Sequence, residues 1–203
     1  MNNEYKQSVA ENILRPAVGY ENLKVYDLTT LIYDITVRFV ELYIPQNSRT
    51  CDQMVQAARS GRQNIAEGSV DAATSAKLEI NLYNVARGSL EELKIDYQDY
   101  LRQHGFEIWN KDDLLAQKFI NMHVASKKEF RMFVETAEQT LQNTVRSRSL
   151  PLKSVIVANA AILLINVASF WLKKLICRKL ERFVEEGGFS EHMAQVRVQH
   201  RKK

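Results

Sequence analysis

GRQNIAEGS, residues 61–69, sets two glycines, an Asn-Ile pair and a glutamate inside a stretch with helical periodicity. It has three readings: a catalytic loop, a phosphate cradle or a packing device. Its N-terminal neighbours weigh on the choice. Met54, Ala58, Gly61 and Ile65 recur at helical spacing and fall on one face. That face is made mostly of small residues, which lets a second helix come close. The spacing predicts a helix over 50–67, with Thr50 and Gln53 in a capping-box pattern and Gly68 placed to end it. The stretch lacks the P-loop lysine pattern and follows no strand signal, so the phosphate cradle loses its support.

The seam has two organised flanks. Gln53, Gln56, Ser60, Asn64 and Glu67 form one polar stripe. Arg59, Arg62 and Ala66 line the other side with Val55. A helix of this kind often has several neighbours. The arginines are a subunit contact or a phosphate site on one reading, and a solvated flank on the other. Asn64 and Glu67 are expected to be structural, satisfying nearby backbone groups or an arginine.

Outward from this helix, apolar stripes mark four more segments. Over 22–44 the stripe is Leu28, Leu31, Ile32, Ile35, Phe39 and Leu42, with Asn22 as N-cap and Pro45 as the stop. Over 73–103 it is Leu78, Leu82, Val85, Ala86, Ser89, Leu93, Tyr97 and Tyr100, ended by Gly105. Over 111–145 it is Leu115, Phe119, Met122, Phe130, Phe133 and Ala137, capped by Asn110. RSRSLP, 146–151, punctuates the chain before a helix from about 151 to 186. With three prolines and few strand signatures, the fold class is all-α. Short joins predict an antiparallel up-down four-helix bundle over 22–145. An N-terminal extension, 1–21, precedes it, and a helical suffix with a basic tail, 151–203, follows.

The last helix contains VIVANAAILLINVASFWL, 155–172, which nominally reaches the length of a short membrane span. Asn159 and Asn166 lie seven apart on one face. In lipid each would need a partner, whereas in a soluble oligomer they suit a register-setting seam. A helix buried against the bundle or neighbouring subunits is the preferred reading, with no membrane.

Charge is uneven. The net +4 divides into −4 over residues 1–110 and +8 over 111–203. A basic half suits an anionic partner. Lys173, Lys174, Arg178, Lys179 and Arg182 cluster within three turns, as phosphate contacts or as an ordinary exposed helix end. Cys51 and Cys177 form neither a disulfide framework nor a CxxC knuckle, and no signal peptide opens the chain, so the expected setting is cytoplasmic. His104, His123, His192 and His200 have no zinc-binding spacing. No acid pair or nucleophile–base pattern stands out. The expectation is a non-enzyme with no cofactor, no metal and no catalytic residue.

DQMVQAARSGRQNIAEGS (52–69), followed by NVARGSLEELKIDYQDYLRQHG (84–105), resembles the four-helix-bundle family. That family includes the bacterial 23S rRNA intervening-sequence proteins and the accessory variability protein of diversity-generating retroelements. The matching pattern is an arginine-serine helix running into N-I-A-E-G, then Ala86, Ser89, Leu90, Glu92 and Leu93 as A-x-x-S-L-x-E-L. RPAVGYENL (15–23), LIYDITVRF (31–39) and the C-terminal NAAILLINVASF and LERFVEEGGFSEHMAQVR resemble a subgroup with a C-terminal four-helix-bundle suffix. The resemblance implies a small, soluble, non-enzymatic homopentamer. Nucleic-acid binding is implied by the retroelement relative, which also binds a reverse transcriptase. The leading expectation is a nucleic-acid-binding accessory protein for RNA or DNA, contacting phosphate through Arg59, Arg62 and the 173–182 cluster. The alternative is a scaffold whose partner is another protein.

Overall fold

Ser48 opens the helix that carries GRQNIAEGS: its Oγ accepts from the Thr50 N–H at 3.2 Å. The helix therefore starts one residue before the expected Thr50 cap. A computed structural model describes residues 19–72, 74–144, 152–187, 194 and 197–198. Among them are six α-helices and no strand, an all-α fold. They are α1 (Lys24–Tyr43), α2 (Arg49–Asp71), α3 (Ala76–Gln103), α4 (Leu114–Met122), α5 (Lys127–Thr144) and α6 (Leu152–Glu186). The 146–151 punctuation, most of the 1–21 extension and most of the basic tail lie outside the described residues, as do His192 and His200.

The seam of α2 packs as its small residues dictate. Met54, Ala58, Gly61 and Ile65 are all buried. A Cβ on Gly61 would lie 3.1 Å from Leu90 Cδ2, and one on Gly68 only 2.8 Å from Tyr83 Cε1. These pairs descend along α2 as they climb α3, so the two helices run antiparallel. Gly68 does not end α2, which continues to Asp71. The glycine is there because the Tyr83 ring fills the space of a side chain.

Three other expected boundaries move. Asn22 sits in a 3-10 turn, Tyr20–Asn22, and Leu23 takes the N-cap position of α1 with no side-chain bond. Asn110 does not cap α4: its N–H instead donates to Asp113 Oδ2 at 2.7 Å, and Asp113 is the N-cap. The single helix expected over 111–145 is two, broken at His123, whose φ of 50° is left-handed. Ser126 and Glu129 then cap α5 reciprocally. Glu129 Oε2 accepts from the Ala125 and Ser126 N–H groups, and Ser126 Oγ accepts from the Glu129 N–H.

The core is built on α3, which packs against α2 on one side and α6 on the other; α1 in turn packs on both α2 and α6. This arrangement explains the misplaced stripe on α3. Leu78 and Val85 are exposed, and Ile80, Tyr83 and Leu90 are buried in their stead. A helix with two large neighbours buries a wider and rotated face. Leu42, at the end of its expected stripe, and Met122, the last residue of α4, are also exposed. Phe39 packs edge-on against Tyr97 and Tyr100, each at 4.9 Å between centroids. Tyr97 OH donates to Thr36 Oγ1 at 3.1 Å, and burial pushes that phenol's pKa up.

The apolar helix α6 lies inside this core. Ile156, Ala158, Ala160, Ile165, Ala168 and Leu172 are fully buried. Among the described residues it alone has the length and composition to cross a membrane. More than half of that apolar window is covered by the rest of the protein. Its two asparagines part company. Asn159 is buried and pins the loop before α4. Its Oδ1 accepts from the Trp109 N–H at 2.7 Å, and its Nδ2 donates to the Glu107 and Val155 carbonyls. Asn166 is exposed. Within the chain only Asn159 of the two is buried.

Candidate nucleic-acid interface

The predicted phosphate contacts fall on two helices, and their environments differ. Arg62 on α2 lies over the Tyr33 ring of α1, with its guanidinium carbon 4.5 Å from the centroid. Part of its attraction is thus spent on the ring face. Arg59 is exposed one turn before it. Neither belongs to the 173–182 cluster, which is carried by α6.

Within that cluster the helix sorts the cations by burial. Lys179 faces inward and pairs with Glu79 Oε1 at 2.5 Å. Glu79 is only 3% exposed, and the same oxygen accepts from Tyr83 OH at 3.0 Å. A buried carboxylate needs such partners, and Lys179 supplies one across the α3–α6 contact. Burial and the adjacent Glu79 both drive the Tyr83 phenol's pKa upward. Lys173, Lys174, Arg178 and Arg182 are exposed. Lys174 Nζ sits 4.7 Å from the Phe170 centroid and 5.3 Å from that of Trp171.

Across from Lys173, α3 contributes Arg87. A groove of about 600 Å³ runs between the two helices, lined by Asn84, Arg87, Gly88, Glu91, Phe170 and Lys173 among others. The acid in it, Glu91, already holds Lys94 at 2.5 Å. No Asp or Glu occurs in the chain between Glu138 and Glu181. The α6 wall of the groove is therefore positive without internal compensation until Glu181. Sequence reasoning missed Arg87 and the two aromatics. The signal was weak: Phe170 and Trp171 read as the tail of an apolar run, and Arg87 as one polar residue on an amphipathic helix.

The opposite side of α3 has the other sign. Asp52, Gln53, Gln56, Ser60, Glu92 and Asp96 line a second open groove between α2 and α3. Burial, then the neighbours Asp99 and Glu92, raise the Asp96 carboxyl. Of the polar stripe on α2, Ser60 Oγ accepts from Ser89 Oγ at 3.3 Å. Asn64 Nδ2 donates to the Ser60 carbonyl at 2.8 Å, and Glu67 is exposed. No group of three or more His, Cys, Asp or Glu that could hold a metal occurs among the described residues.

No family model, curated protein or solved structure matches this chain.

Proposed function

We propose that this chain is a non-enzymatic, oligomeric nucleic-acid-binding accessory protein of the four-helix-bundle type, cytoplasmic and free of cofactors. The observation that carries the reading is the exposed basic end of α6. Lys173, Lys174 and Arg178 stand on a stretch without a single acid, and Lys173 shares a groove with Arg87 of α3. Such a surface gains affinity by displacing counterions from phosphates. On this reading α1, α2, α3 and α6 form the up-down four-helix bundle, and α4 and α5 pack outside it. Assembly as a pentamer comes from the residue blocks that resemble the rRNA intervening-sequence and retroelement accessory proteins.

The test is binding of RNA and DNA by fluorescence anisotropy over a salt series. Affinity is expected to fall linearly in log–log form as salt rises. The triple variant K173E/K174E/R178E is expected to lose binding and to flatten the slope by roughly 0.7–0.9 per phosphate contact removed. Lys179 is left intact, because its loss would unpair buried Glu79. Binding that is absent at low salt, or indifferent to salt, overturns the proposal.

A protein-scaffold reading has one observation in its favour. Leu78 and Val85 are exposed one above the other on a face of α3 that does not line the basic groove. A partner complex that survives nuclease and is unaffected by the triple variant would favour it.

A further inference from the structure

We infer that the α3–α6 groove is a site for single-stranded nucleic acid, with Phe170 in the groove and Trp171 beside it as the surfaces on which unpaired bases stack. This rests on the nucleic-acid reading above and deepens it. Phe170 is 53% exposed and Trp171 41%, high for large aromatics midway along a helix whose other face is core. Their centroids are 5.9 Å apart with planes at 74°, so the two rings offer faces in different directions.

The cations are arranged around those faces. Lys174 Nζ lies over both rings, Lys173 and Arg87 flank Phe170 along the groove, and Arg178 follows one turn beyond Lys174. An incoming base displaces the Lys174 ammonium from the ring, and the ammonium moves to a phosphate of the same strand. The exchange favours binding, because base–aromatic stacking is the stronger contact and the released cation keeps an anionic partner. A duplex conceals its base faces and gains only the cations. A single strand gains both. At Gly88 the floor of the groove is open, since an added Cβ would meet nothing within 4 Å. Its walls carry Asn84, Arg87 and Ser169, which hydrogen-bond to base edges and phosphates. Those polar walls favour a nucleic acid over a lipid surface, which would want apolar side chains there.

The experiment compares a 20-nucleotide dT strand and its U counterpart with a duplex of equal length, using the full chain and fluorescence anisotropy. F170A and W171A are the variants, each checked for an unchanged circular dichroism spectrum and melting profile. The wild-type chain is expected to hold the single strands more tightly than the duplex. Each variant is expected to lose roughly tenfold on single strands, with duplex binding and salt slope unchanged. Gly88→Trp fills the groove from a position open to solvent, and should also weaken single-strand binding. Equal affinity for strand and duplex, with both aromatics dispensable, overturns the inference while leaving the basic site standing. If neither nucleic acid binds but phosphatidylserine vesicles do, and W171A abolishes it, both the inference and the nucleic-acid reading fall.

Discussion

Gly61, Gly68 and Gly88 are three helical glycines with three different amounts of room. At Gly88 an added methyl meets open space. G88A should raise stability by about 0.5–1 kcal/mol, the usual helical advantage of alanine. At Gly61 the neighbour is the flexible end of Leu90, which can give slightly. At Gly68 it is the Tyr83 ring, whose hydroxyl is held by Glu79, with the Glu79 carbonyl 3.2 Å away as well. That ring has nowhere to go. G68A should therefore lose about 1–3 kcal/mol, overpacking outweighing propensity. Thermal melts of the two variants, moving in opposite directions, check the assignment. A G68A protein as stable as wild type would mean that the α2–α3 seam is looser than these distances require.

The helices respond to acid in opposite senses. Glu129 caps α5, and the Ala125 N–H, the Ser126 hydroxyl and the Ser126 N–H hold its carboxyl below the ordinary value of 4.5. A depressed carboxylate contributes stability above its unfolded value and loses it as pH falls through the folded one. E129Q should be less stable than wild type near neutrality, and the gap should close as pH drops below about 4.5. Asp96 on α3 has its value raised, so its ionisation opposes folding once pH climbs past 3.8. D96N should be more stable than wild type at neutral pH, with the gain vanishing in acid. Melting temperatures across a pH series read both. These helices also show what the sequence could convey. Periodicity located nearly every one, because burying one stripe is a local demand on spacing. It did not predict the break at His123, although Ser126 and Glu129 spell a capping box just beyond it. Nor did it find the inward Lys179, since whether a cation meets solvent or a buried Glu79 depends on a residue a hundred positions away. Arg87 was illegible for the same reason: its neighbours on α6 are supplied by the fold.

Taken together, the helices depend on α6 as their common wall. It packs on both α1 and α3, pins the 107–109 backbone through Asn159, and satisfies Glu79 through Lys179. The chain cut after Thr144 should therefore fail to melt cooperatively and should bind hydrophobic dyes, although 22–145 reads as a self-sufficient bundle in sequence. Calorimetry on that fragment decides the point, and a sharp transition at the parent temperature would show that α6 is dispensable. The dependence has a temporal side. On the ribosome the core faces of α1 to α3 are complete once Leu101 has been made, yet the helix that covers them is not finished until Ile176. At ordinary elongation rates that interval is roughly 4–15 seconds. For that time the nascent chain carries an uncovered apolar trough, long enough for chaperones to take hold of it or for neighbouring chains on the same message to meet.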